Sequence, residues 1–337
     1  SPVDANGNAI KDESVKATYM MQSNLNTSFT GDDNLYVRLK TGNAGDWQTA
    51  KKYGTYLSSS KGNSDLLKID KIWYSFPVAG LNGDHTIWIG PQIENYYMHA
   101  TTPSIYQPVT KQFTLGGNGA AYGASTSPGI GWSYKADNGF AISSNVNSAS
   151  ADTTKGFLTR ETKSSWATQI GYTKPTYSAS IMVNKKYQGW TDTYYSTTLG
   201  GGRGTTAAPL DSTNIGLRGW WRPEESGSAV PSISLGYDTS SVDGQDQDTS
   251  AYFLGLTWQD AFTPDDKIGL AFGQPQTRDD ETTDPFAWEV YYSYAMNDSV
   301  TITPAIFGAS DRYGDSGKDP DKGTDLLGAV VETTFKF

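Results

Sequence analysis

The sequence predicts an all-β fold, a transmembrane antiparallel β-barrel of 16 strands, of which 15 are visible in this chain. Three observations predict it. Apolar and polar residues alternate with a period of two in run after run. Short and long connections alternate between those runs along the whole chain, which is how a membrane barrel keeps tight turns at one end and long loops at the other. Aromatic residues gather beside the short connections, as they do where rings lie at the membrane interface.

The runs lie near 14–30, 34–43, 66–78, 85–91, 125–136, 140–147, 164–173, 177–189, 212–222, 230–239, 249–259, 268–274, 285–294, 299–310 and 324–337. In the second, Leu35, Val37 and Leu39 oppose Tyr36, Arg38 and Lys40. The runs at 66–78 and 85–91 are apolar on both faces, so alternation leaves their orientation open. Ala179, Ile181 and Val183 oppose Ser178, Ser180, Asn184 and Lys186. Ile215, Leu217 and Trp221 oppose Asn214, Arg218 and Arg222. Phe286, Trp288, Val290, Tyr292 and Tyr294 oppose Ala287, Glu289, Tyr291 and Ser293. At the C-terminus Leu327, Ala329, Val331, Thr333, Phe335 and Phe337 face away from Glu332 and Lys336.

The short connections are 31–34, 79–84, 137–139, 174–176, 223–229, 260–267 and 295–298. Asp137-Asn138-Gly139 is a strong hairpin signal, because Asn and Gly tolerate positive φ. Phe29, Phe76, Tyr134, Phe140, Tyr172, Tyr177, Trp221, Trp258, Phe262 and Tyr294 sit within a few residues of these turns. The long connections lie near 44–65, 92–124, 148–163, 190–211, 240–248, 275–284 and 311–323.

Composition agrees. Of 337 residues 36 are Gly, 13% are aromatic and only 18% are charged. Mean hydropathy is −0.53, and no stretch of about 18 apolar residues provides a membrane helix. A net charge of −10 argues against nucleic acid. Cysteine is absent, which excludes disulfide scaffolds, zinc–cysteine sites and thiol catalysis. With only His85 and His99, a histidine triad or multi-histidine metal centre has little material. Glycine-rich 200–204 lacks the Lys-Ser/Thr of a phosphate loop. Asp243, Asp246 and Asp248 lack the closing Glu of a calcium loop. No catalytic residue, cofactor or metal is expected.

A single-chain barrel has an even strand number with both ends on the short-turn side. The run 14–30 then descends from the long-loop side, leaving 1–13 as a polar loop after a first strand missing from this chain. The inward charges that can be assigned are Arg38, Lys40, Lys186, Arg218, Arg222 and Lys336 against Glu289 and Glu332, a basic wall in an acidic chain. The acidic excess falls in long loops, around Asp243–Asp248, Asp279–Asp284 and Asp311–Asp325. Among these, Arg38, Lys40, Lys186, Arg218, Arg222, Glu289 and Glu332 are the candidate pore-lining residues. The longest, least charged loop, 92–124, carries Tyr96, Tyr97, His99, Tyr106 and Lys111. It is the candidate constriction loop, folded into the lumen; the alternative is an extracellular flap.

Two segments resemble cyanobacterial outer-membrane porins of the type that carries a surface-layer-homology domain, themselves similar to the carbohydrate-selective porin family. One is Asn26-Thr27-Ser28-Phe29-Thr30-Gly31-Asp32-Asp33-Asn34-Leu35-Tyr36-Val37-Arg38-Leu39; the other is Ile69-Asp70-Lys71-Ile72-Trp73-Tyr74-Ser75-Phe76-Pro77-Val78. The glycine-rich passage 116–132 and terminal Phe335-Lys336-Phe337 fit as well. The resemblance implies a homotrimer of barrels in the outer membrane of a Gram-negative type cell envelope. Each barrel would pass small hydrophilic solutes, ions or carbohydrates. Peptidoglycan-linked polymer would be bound only through an N-terminal domain absent here. The expected function is therefore a passive, water-filled diffusion channel. The alternatives are a non-channel envelope barrel (structural or adhesive) and a soluble β-rich polysaccharide-binding protein.

Overall fold

The structure, a computed structural model, describes residues 15–49, 51, 54–123, 126–149, 151–191, 194–317 and 325–337. The expected loop at 1–13 lies outside them. Among the described residues there are fifteen strands: β1 (Met20–Thr27), β2 (Asn34–Gly42), β3 (Lys68–Pro77), β4 (Asp84–Ile93), β5 (Ser127–Lys135), β6 (Phe140–Ser148), β7 (Ser164–Lys174), β8 (Tyr177–Tyr187), β9 (Ser212–Trp221), β10 (Ser232–Val242), β11 (Thr249–Gln259), β12 (Lys267–Arg278), β13 (Phe286–Asn297), β14 (Val300–Ser310) and β15 (Leu326–Phe335). They form one antiparallel sheet in chain order, with β1 and β15 as its two edges. The sheet is not closed: a cleft of about 1510 Å³ lies between those edges. No helix among the described residues is long and apolar enough to cross a membrane.

The sheet is inside out relative to a soluble sandwich. Its buried face is polar, with Asn184, Asn214, Gln169, Ser143 and Glu289 fully covered, while Trp166 (52% exposed), Leu235 (51%), Ile170, Leu217 and Ile306 stand outward. So much contiguous exposed apolar surface would be costly in water and is favourable against lipid. β12 runs longer than the alternation predicts. It continues past Gln274 because a bulge opposite Ser250–Tyr252 absorbs Pro275, which cannot donate to a regular ladder.

The short-turn end is built by two carboxylates. Asp33 accepts hydrogen bonds from the backbone N–H of Phe29 (2.9 Å) and Thr30 (2.8 Å) and from the hydroxyls of Ser28 and Tyr74. These donors, Ser28 foremost, hold its carboxyl well below the usual carboxylate range. Asp266 repeats the device with the N–H groups of Phe262 and Thr263 and the Tyr292 hydroxyl. Phe29, Phe140, Tyr177, Trp221, Phe262 (75% exposed) and Phe337 project outward at this end.

The two strands of ambiguous orientation are settled by bulges. Between β2 and β3 the register passes from Arg38↔Lys71 to Leu39↔Ile69, leaving Asp70 as the extra residue. Lys71 and Trp73 point inward and Ile69 outward. The β3–β4 and β4–β5 ladders each carry a further irregularity.

Candidate functional site

The long connection after β4 does not stand out from the sheet. Residues 94–123 lie across its inner face and attach to it strand by strand. The Gln169 side-chain amide clasps the backbone of Thr101, accepting from its N–H (2.9 Å) and donating to its carbonyl (3.0 Å). Ser234 accepts from the Ile105 N–H, and the Trp220 indole donates to the Thr102 carbonyl. Glu289 on β13 accepts from the Tyr106 hydroxyl (2.9 Å), the Val109 N–H (3.0 Å), the Thr110 N–H (2.8 Å) and the Thr110 hydroxyl. Further along, Arg218 donates to the Leu115 and Gly117 carbonyls, Asn184 to Ala121 and Lys186 to Gly123.

Small residues on the inner face make this seat possible. A Cβ at Gly236 would meet the Gly116 carbonyl oxygen at 1.8 Å, and one at Gly171 would meet Thr101 Oγ1 at 2.2 Å. The elevated glycine content thus has a local reason where backbone lies against strand. Phe113, Tyr106, Tyr195, Phe253 and Phe307 close the space between this segment and β11–β14 in one apolar cluster. The connection after β2 joins it: the Ser58 N–H donates to the Val109 carbonyl and the Lys111 N–H to Tyr56.

The candidate pore-lining residues do not share one environment. Lys186, Arg218 and Glu289 face inward but are sealed beneath the loop, because each is consumed in holding backbone groups of 106–123. Arg218 also pairs with Asp238 at 2.7 Å. Glu332 accepts a hydrogen bond from the Ser59 hydroxyl. Arg222 is exposed; its Nε donates to the Pro175 carbonyl, and it borders a 340 Å³ cavity at the short-turn end with Gln107 and Lys267. Arg38 and Lys40 belong to a charged wall on β2 and β3.

That wall holds residues that alternation could not select. Arg38 Nε donates to Asp70 at 2.7 Å and Lys61 reaches the same carboxylate at 3.0 Å. Lys71 pairs with Glu94 at 2.7 Å. Burial works against ionised Glu94, yet Lys71 beside it holds the carboxyl below its usual value. Of the candidate loop residues, Tyr97 accepts from Arg38 Nη1 at 3.0 Å, and burial pushes its hydroxyl up to about 12. Tyr96 stacks on Tyr97 at 4.5 Å. The Lys111 ammonium lies over the Tyr56 ring at 4.9 Å, and burial pushes it down. His99 meets Tyr122 edge-on, and burial pushes its imidazole down to about 3. The bulge at Asp70 explains what the pattern missed, since it places both Asp70 and Lys71 among the inner charges. Lys61 and Glu94 stand in connections, where no periodicity signals a direction. No group of three or more metal-ligating side chains occurs among the described residues.

No family model matches the chain. An uncharacterized protein of Nostoc sp. is 24% identical across 93% of this chain, which spans 59% of that relative's length. Among solved structures, OprB of Pseudomonas putida superposes with a TM-score of 0.63 at 12% identity, covering 95% of this chain and 87% of its own. A substituted porin of Rh. blastica gives 0.53 at 11% identity, over 95% and 90%. The anion-selective porin from Comamonas acidovorans gives 0.52 at 12%, over 86% and 78%. The chain therefore has the fold of bacterial outer-membrane porins.

Proposed function

We propose that the chain is an outer-membrane porin forming a passive, water-filled diffusion channel for small hydrophilic solutes and ions. The observation that carries this reading is the seat of residues 94–123 on a polar inner face, inside a sheet whose outer face is apolar. A membrane-embedded sheet has no need of a charged inner wall unless that wall meets water. The loop seats on the wall from β7 to β13, and on β2 and β3 it meets Arg38 through Tyr97 and Lys71 through Glu94; in this reading, size and charge along that charged wall decide what passes. Its mechanism needs no catalytic residue.

The same reading includes a homotrimer, a whole-chain barrel domain, and kinship with the surface-layer-homology type of cyanobacterial porin. Ions and uncharged sugars are both small enough classes to consider as solutes. Because β1 and β15 run in the same direction, one further strand in the cleft between them would pair antiparallel with both and complete sixteen. The second reading, a plugged envelope barrel, draws on how many loop side chains fill the interior, including Leu57, Phe113 and Tyr195.

Conductance in planar bilayers separates the two. Deleting 97–112 should raise single-channel conductance. Unchanged conductance would remove the constriction assignment, and no conductance in the intact protein would favour the plug.

A further inference from the structure

We propose that the cavity where the inner face meets the short-turn end binds a small zwitterion, a free α-amino acid, taking its carboxylate on Arg222 and Lys267 and its ammonium on Glu224 and Glu225. The proposal deepens the channel reading, on which its transport consequence rests. All four residues border one cavity of about 340 Å³, a size typical of small-molecule sites. Arg222 follows β9 in phase with the inward Arg218 and Trp220, and Lys267 opens β12. Gln107 of the seated loop borders the same space, and Lys267 Nζ donates to its side-chain oxygen at 3.2 Å. The carboxylates belong to the connection 222–231, the longest at this end among the described residues. That connection is pinned to β11: the Gly227 N–H donates to the Gln259 carbonyl (3.0 Å) and the Trp258 indole to the Ala229 carbonyl (3.0 Å). The pinning holds Glu224 and Glu225 at the edge of the cavity.

Both signs of charge border this space, yet none of the four groups takes part in an ion pair among the described residues. Arg222 spends its Nε on the Pro175 carbonyl, which leaves both terminal nitrogens of the fork to donate. Lys267 spends one of three donors on Gln107 and has Asp260 as an acidic neighbour. Opposite charges held around one cavity, beyond ion-pair reach of each other, suit a ligand that carries both. A simple carboxylate would use only the cations, and an alkylammonium only the carboxylates. A neutral sugar would match neither pair. An α-amino acid engages both, and its carboxylate fits the guanidinium fork. The four groups meet water, so each contact contributes little singly and binding of roughly millimolar strength is expected. That is weak enough to release a passing solute.

Two measurements on the intact, detergent-folded protein test this with L-alanine as the probe. Calorimetry should show saturable binding of one alanine per chain. Affinity should fall at least tenfold in Arg222→Gln/Lys267→Gln and, separately, in Glu224→Gln/Glu225→Gln. It should stay unchanged in Lys155→Gln, which removes an exposed charge from the β6–β7 connection. Acetate and methylammonium, each carrying a single charge, should bind at least tenfold more weakly than alanine. In bilayers, alanine should reduce chloride current saturably, and both double variants should lose that effect. Absence of saturable binding, equal binding in either double variant, or acetate matching alanine would overturn the site. Conductance without alanine binding would overturn the site and leave the channel; alanine binding by a protein that shows no conductance would uphold the site and overturn the channel.

Discussion

The inner wall has two halves of opposite character. From β7 to β13 it is a seat: Arg218 is matched by Asp238 and backbone carbonyls, Glu289 by four donors, and aromatic rings fill the rest. On β2 and β3 it is a charged surface where five cations face two carboxylates. The difference teaches that inward direction does not make a residue part of a channel. A buried charge persists only when paired and hydrogen-bonded, so the seat had to be neutralised locally. The β2–β3 half carries surplus charge, which is tolerable where water or a mobile ion reaches it.

The comparison breaks most severely if the seat is not what holds the loop. Glu289→Gln replaces an all-acceptor carboxylate with an amide whose NH₂ must face N–H donors. We expect a loss of about 2–4 kcal/mol in unfolding stability, read by thermal unfolding in detergent, together with raised conductance. A stable variant with wild-type conductance would show that the seat is not a seat.

The charged half is sharpened by ion preference. Arg38→Gln/Lys40→Gln should move the reversal potential in a salt gradient toward cation preference. Lys186→Gln should move it far less, because Lys186 is sealed against Gly123. Equal shifts would erase the distinction between the halves.

The smallest effect is titration of His99, at the boundary between them. Its folded pKa, about 3, lies below the ordinary value of 6.5. The stability from keeping it neutral is therefore complete above pH 6.5 and declines as pH falls toward 3. The unfolding stability should drop over that window, by up to about 1.4 kcal/mol per pH unit, and His99→Gln should flatten the decline. A drop of equal size in that variant would assign it to other groups.

Much of the architecture was legible. Every predicted run corresponds to a strand, because alternation of Leu217 against Arg218, or Ile181 against Asn184, reports directly on which side meets lipid. The alternating connection lengths were equally plain. The loop path was not: nothing in Tyr106-Gln107-Pro108-Val109-Thr110 says that it will be held by a glutamate some 180 positions later. Arg218 and Lys186 were read correctly as inward yet not as covered, since coverage depends on a segment more than sixty residues away in each case.

What the sequence by itself determined is most of the wall: strand positions, the facing of the strands that alternate, the turn end and the aromatic band. These follow from local alternation and turn chemistry, each readable within about ten residues. What only the tertiary structure decided is which inward charges stay free. The Asp70 bulge shifts facing by one residue, and the seating of 94–123 depends on glycines and acceptors as far apart as β7, β10 and β13. Both are matters of register and long-range fit, in which no local period is written.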